Sequence, residues 1–172
     1  LSKLKRLNVP YETGGHSRKA LDGTDLIVMS PGVPLDIPVI KIARKKRIPV
    51  ISEIELAYFF LKKPIIAVTG TNGKTTTTSL IGKMLKDSGY KVAVAGNIGV
   101  PLISVKDTNL DYIVAEISSY QLESIIKFKP WISIILNITE DHLTRHKSMR
   151  EYLKRKAAIF RNQGKDDVLI YN

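Results

Sequence analysis

Cysteine is absent from the 172 residues. That excludes disulfides, thiolate metal sites and cysteine nucleophiles, and it fits a reducing, cytoplasmic setting. Aromatic residues are scarce at 7%, so no row of rings interleaves with lysine and arginine as a base-stacking surface requires. Long apolar runs are missing too: the uncharged stretches at 65–68 and 131–136 are far too short to cross a bilayer. Nor does a charged start lead into an apolar core and a small-residue cleavage site. The scarcer charge is the negative one, with 16 Asp and Glu against 27 Lys and Arg, a net +11 and a pI near 9.8.

Such a balance invites a nucleic-acid reading, so its distribution matters. Residues 1–64 carry +6 and residues 65–172 carry +5, with denser runs only at 44–47 and 145–161. The first run alternates with Ile40, Ile42, Ala43 and Ile48, which reads as the solvated face of a short helix. Neither a nucleic-acid nor a membrane partner is expected. Forty-four per cent apolar and 25% charged is the balance of a folded globular chain, with room for one domain or two partial ones. No Met stands at position 1, and the strand-like run 168–171 stops without a covering element, so a piece of a longer protein is expected.

The pattern alternates short apolar strands with helices. Strands are predicted at 26–29, 49–52, 65–68, 92–95, 112–117, 132–138 and 168–171. Helices are predicted at 39–47, 53–61, 74–88, 118–127 and 148–161. Ser52 is placed to cap the helix that follows it, whose acidic first turn suits a helix N-terminus. Lys62-Lys63-Pro64 reads as a junction. The fold class expected is α/β: a partial Rossmann-like domain over 1–64, then part of a P-loop-type, parallel-sheet ATPase domain over 65–172.

Ligands of open α/β sheets bind at the carboxyl ends of the strands. Four strands of the second half end in polar motifs: 69–76 (Thr-Gly-Thr-Asn-Gly-Lys-Thr-Thr), 96–99 (Gly-Asn-Ile-Gly), 116–119 (Glu-Ile-Ser-Ser) and 137–142 (Asn-Ile-Thr-Glu-Asp-His). Each alone could be turn chemistry; four on one edge are harder to dismiss. The glycine loop carries the strongest signal. Gly70, Thr71, Asn72 and Gly73 let backbone amides turn toward phosphate oxygens, Lys74 supplies charge, and the Thr75 hydroxyl faces Mg²⁺, with Thr76 beside it. The loop is a shortened variant, because Val68 stands where the strict pattern has glycine. Glu116 is the best carboxylate for Mg²⁺, and Asp141-His142 a weaker second source. His16 and His146 are read as structural.

The run 67–76 resembles the ATP loop of the Mur ligases. Together with 96–99, 116–123 (Glu-Ile-Ser-Ser-Tyr-Gln-Leu-Glu) and 137–143, it is similar to the D-glutamate-adding branch of that family. Sister ligases and folylpolyglutamate synthase share the loop but differ at the Ser-Ser-aromatic-Gln-Leu-Glu string. Ser30-Pro31-Gly32-Val33-Pro34 and 53–56 are similar to the later part of the branch's uridine-binding domain. The resemblance implies a three-domain enzyme of which the opening βαβ, the rest of the ATPase domain and the carboxy-terminal domain are not in this sequence, so that the piece alone is inactive.

What the resemblance implies for the whole enzyme is ATP-dependent ligation of D-glutamate to UDP-N-acetylmuramoyl-L-alanine through an acyl phosphate, by a cytoplasmic monomer with small-molecule partners. Lys74 and Thr75 would hold phosphates and a first Mg²⁺ with Glu116, and His142 a second Mg²⁺. Asn97, Ser118 and Gln121 would orient the substrate, with Ser30 and Gly32 near its uridine diphosphate. The family's carbamylated lysine falls on Lys156, with Lys154 as a rival in register; the other basic residues of 145–161 read equally well as a solvated helix face. Two further classes stay open: a small nucleoside-triphosphate kinase or GTPase, which lacks here its full-length loop and a strand ending in Asp, and a stable, non-catalytic nucleotide-binding core.

Overall fold

A computed structural model describes residues 1–106, 109–140 and 148–172. By its contacts the chain divides into two units, Leu1–Ile27 with Pro34–Val50, and Val28–Val33 with Ile51–Asn172.

In the first unit, α1 (Ser2–Arg6) is followed by a 3-10 turn at Arg18–Leu21 and by α2 (Pro38–Lys45). Pro38 suits the opening of α2 because a first-turn residue needs no donor N–H. Val39, Ile40 and Ala43 fall on one face of α2 and are buried, as is Leu21. Residues 44–47 are all exposed, as the alternation of that basic run predicts. β1 (Ile27–Met29) and β2 (Val50–Ser52), whose residues 28–29 and 51–52 belong to the second unit, form a two-stranded sheet.

The second unit is built on five parallel strands: β3 (Ile65–Thr69), β4 (Val92–Gly96), β5 (Tyr112–Glu116), β6 (Ile132–Ile135) and β7 (Val168–Tyr171). Their order is β4-β5-β3-β6-β7. Ala67, Val68, Ile113, Val114 and Ala115 are fully buried, which is why these strands read as near-continuous apolar runs: parallel sheets are covered on both faces. On one face α4 (Lys74–Asp87) lays Ile81 and Leu85 against Ile66, Val92 and Val114. On the other, α3 (Glu53–Phe60) contributes Ile54 and Ala57 to a cluster with Ile113, Ile117, Leu122 and Phe128. Ser52 caps α3 as expected, its hydroxyl accepting the Glu55 N–H at 3.4 Å.

The register fixes where the strands stop. Val68 and Gly96 both lie opposite Glu116, and Thr69 opposite Ile135. The four motif-bearing ends therefore share one edge of the sheet.

Three predicted elements need correction. The helix expected over 118–127 is only a 3-10 turn at Gln121–Ser124. Its start is taken up by side-chain bonds, since Ser118 N–H and Oγ both donate to Gln121 Oε1, at 2.9 and 3.0 Å. Serine and glutamine here satisfy the backbone locally instead of letting a helix propagate. The strand expected to run to 138 ends at Ile135, because the following residues turn to hold the glycine loop. The last helix, α5 (Met149–Ala157), gives way to a 3-10 turn at Ala158–Phe160 instead of continuing to 161. No helix among the described residues is long and apolar enough to cross a membrane.

Candidate nucleotide and metal site

β3 runs directly into the glycine loop, and the loop into α4. Gly73 occupies the N-cap of α4 with φ +80°, a left-handed conformation that L side chains resist. No side chain caps α4, and its first turn contains no acidic residue, so the helix presents free amide donors where the loop arrives. The Thr71 N–H donates to the Asn137 carbonyl at 2.9 Å. The Asn72 N–H donates to Asn137 Oδ1 at 2.9 Å, while Asn137 Nδ2 donates back to the Asn72 carbonyl at 3.1 Å. Asn137 thus grips the loop as a neighbouring strand would, from a side chain.

Glu116, at the end of β5, is 1% exposed. Thr75 Oγ1 donates to one of its oxygens and Asn97 Nδ2 to the other, both at 2.7 Å. Gly96 makes this approach possible: it has φ +106°, and a Cβ there would stand 2.3 Å from the Glu116 carbonyl oxygen. Lys74 Nζ folds onto the loop, donating to the Gly70 and Thr71 carbonyls at 3.0 and 2.8 Å. Lys156 Nζ, on α5 and 2% exposed, donates to the same Gly70 carbonyl at 2.7 Å. Two lysine Nζ atoms therefore share one acceptor at the mouth of an uncapped helix. That arrangement favours an anion at the loop.

Of the residues singled out in the sequence, these bonds link Gly70, Thr71, Asn72, Lys74 and Lys156 in one group and Thr75, Asn97 and Glu116 in another, with Gly73 as the N-cap of α4 between them. Thr76 follows Thr75 in the first turn of α4. Ser118 and Gln121 bond each other just beyond β5, whose exit is held by the Ile117 N–H on the Val68 carbonyl at 2.9 Å. Asn97 in this structure orients Glu116. Ser30 and Gly32 sit on an exposed turn after β1, closed by the Val33 N–H on the Ser30 carbonyl at 3.0 Å. His142 and Asp141 lie outside the described residues.

The donor set fits Mg²⁺, which takes one or two protein carboxylates and completes its shell with phosphate and water. Glu116 and Thr75 offer hard oxygens beside the phosphate loop. Among the described residues no group of three or more His, Cys, Asp or Glu gathers. Asn137 and Thr139 belong to the strand-end motif 137–142 that the sequence singles out, but their role in holding the loop was not read there, and Tyr152 was missed. Its only signal is its place on one helix face, which spacing alone does not reveal.

Two family models cover most of the chain: the Mur ligase middle domain matches residues 68–172, and the MurD-like N-terminal domain of Mur ligases matches residues 1–52. The chain belongs to the Mur ligase family. Within it the similarity is to the MurD-like branch. A UDP-N-acetylmuramoylalanine--D-glutamate ligase from Thermoanaerobacter sp. (strain X514) is 52% identical over the whole chain, and one from Citrifermentans bemidjiense is 47% identical over the same span. The chain spans 38% of the length of each of these curated relatives. Among solved structures, MurC of Thermotoga maritima is 29% identical with a TM-score of 0.52, over 99% of this chain and 40% of that one. The fold also matches the UDP-N-acetylmuramate:L-alanyl-gamma-D-glutamyl-meso-diaminopimelate ligase of Neisseria meningitides, at TM-score 0.63 and 19% identity, over 99% of this chain and 59% of that one.

Proposed function

We propose that this chain is the phosphate-binding part of a MurD-type ligase, an ATP-dependent enzyme that adds D-glutamate to UDP-N-acetylmuramoyl-L-alanine. The observation that carries the reading is the convergence of Lys74, Thr75, Glu116 and Lys156 around one uncapped helix N-terminus, in a chain about half identical to ligases of that name. Residues 1–64 belong on this reading to a uridine-nucleotide-binding domain and 65–172 to a P-loop-type ATPase domain. The turn at Ser30 and Gly32 faces the uridine diphosphate of the substrate. The enzyme works as a cytoplasmic monomer.

The chemistry is a problem of charge: a carboxylate must approach a polyphosphate. The loop amides and Lys74 cradle the phosphates of ATP, for which Lys74 leaves the Gly70 and Thr71 carbonyls. Glu116 and Thr75 would hold one Mg²⁺, and His142 with Lys156 would hold a second. Bound there, the metal ions screen the negative charge that builds on the transferring phosphoryl group. Lys156 serves as a carbamate, formed when its neutral amine adds CO₂ and loses a proton, so that a cation becomes a carboxylate-like ligand. Ser118 and Gln121, braced against each other, orient the substrate, as does Asn97. A carboxylate oxygen of the L-alanine unit attacks the γ-phosphorus and ADP departs. The neutral amine of D-glutamate then attacks the acyl carbon, phosphate leaves, and the nitrogen gives up one proton to solvent as the amide forms.

The test is amino-acid choice. The full-length protein, given ATP, Mg²⁺ and UDP-N-acetylmuramoyl-L-alanine, is expected to consume D-glutamate in preference to glycine, L-alanine, L-lysine or meso-diaminopimelate. Preference for another amino acid would move the chain to a sister ligase, and no ligation with any would overturn the reading.

A further inference from the structure

The Thr71 hydroxyl, in the middle of the glycine loop, is a three-way junction. It donates to the Thr139 carbonyl at 3.2 Å and accepts the Thr139 N–H at 3.0 Å. Tyr152 Oη lies 3.2 Å away. Either hydroxyl can donate in that pair, and the two oxygens are within hydrogen-bond distance in both cases. Tyr152 is 1% exposed and stands one turn before Lys156 on α5, and the Lys156 ammonium lies 4.6 Å from the centre of its ring. Helix α5 therefore grips consecutive loop residues at two points: Lys156 at the Gly70 carbonyl and Tyr152 at the Thr71 hydroxyl.

We propose that Tyr152 is a positioning residue for the phosphate loop, setting the register between α5, which carries Lys156, and the loop, which carries Lys74. The inference rests on the phosphate-loop reading above. It goes further by giving a buried tyrosine, which touches no reacting atom, a share in nucleotide binding. When Lys74 and Lys156 turn from the Gly70 carbonyl toward a ligand, the Tyr152–Thr71 bond is a neutral tie that keeps the loop seated on α5. An anchor independent of the two charges is what such a rearrangement needs.

Tyr152→Phe keeps the ring, its volume and its contact with Lys156, and removes only the hydroxyl. In the full-length protein, kcat/KM for ATP is expected to fall about tenfold, the scale of one lost hydrogen bond, and the KM for D-glutamate to stay within twofold. Binding of a non-hydrolysable ATP analogue, measured by titration calorimetry, completes the cycle: Tyr152→Phe should weaken it about tenfold alone, but less than twofold in a Thr71→Val background. A Tyr152→Phe protein that binds the analogue as tightly as a binding-competent wild type overturns this inference alone. So does a tenfold loss that persists in the Thr71→Val background. A wild type that binds no nucleotide overturns the phosphate-loop reading, and this inference with it.

Discussion

Glu55 is the acid most exposed to test in the framework that carries the site. It is fully buried, yet its carboxylate meets no metal-type partner; it accepts three consecutive backbone amides. Oε2 takes the N–H of Ile126 at 2.8 Å and of Phe128 at 2.9 Å, and Oε1 takes that of Lys127 at 2.7 Å. Glu55→Gln preserves size but leaves one oxygen. If that oxygen keeps Ile126 and Phe128, the new NH₂ faces the Lys127 N–H, donor against donor. The cost is one charge-assisted bond plus an unsatisfied amide, about 2–3 kcal/mol. For a chain of this size that lowers the unfolding midpoint by about 4–12 °C. Trp131, the only tryptophan, stands just before β6 with its N–H on the Ile65 carbonyl, so its fluorescence in urea reads the loss directly. Glu53→Gln is the control. Burial pushes the Glu53 carboxyl above its ordinary range, against the pull of the Ile103 and Leu102 amides, so a neutral amide there should change stability by less than about 0.5 kcal/mol. A Glu55→Gln chain within about 0.5 kcal/mol of wild type would refute the anchoring role.

Other consequences follow from the same geometry. Gly96→Ala, with a Cβ driven to 2.3 Å from the Glu116 carbonyl oxygen at φ +106°, should cost at least about 2–3 kcal/mol. Gly99→Ala, at φ +63° but with nothing within 4 Å, should cost only about 1 kcal/mol, and equal losses in urea unfolding would contradict the close-approach argument. Asp167 is held below the ordinary carboxylate range, first by the Gly164 N–H and then by Lys129, whose ammonium it meets at 2.9 Å. The folded state therefore binds fewer protons than the unfolded one. Its stabilisation is present above about pH 4 and is lost as pH falls through the depressed folded value. The stability gap between wild type and Asp167→Asn should accordingly narrow below about pH 4, and a gap independent of pH would contradict this.

Much of this was legible in the residues themselves. β3, β4 and β5 announce themselves as uninterrupted apolar runs because both faces of a parallel sheet are covered. The Ser52 cap and the exposed 44–47 face follow from spacing alone. The failures at 118–127 and 136–138 come from side chains replacing backbone partners, locally in the first and over a long sequence separation in the second. Ser118 and Gln121 stop a helix that periodicity favours. Glu55 looks like an acid complementing a helix dipole, but it anchors amides 71 to 73 residues away. Asn137 and Thr139 end β6 early to hold the glycine loop. Local propensity has no access to the long-range bonds of Glu55, Asn137 and Thr139.

The central claim is that this loop and its carboxylate serve a ligase that activates the L-alanine carboxylate by phosphorylation. It is tested most directly by isotope transfer in the full-length protein. UDP-N-acetylmuramoyl-L-alanine carrying ¹⁸O in both carboxylate oxygens is turned over with ATP, Mg²⁺ and D-glutamate, and the released phosphate is analysed by mass. The account predicts one ¹⁸O in each phosphate, one retained in the new amide, and loss of the transfer in Lys74→Ala. Unlabelled phosphate released as the amide forms would contradict it.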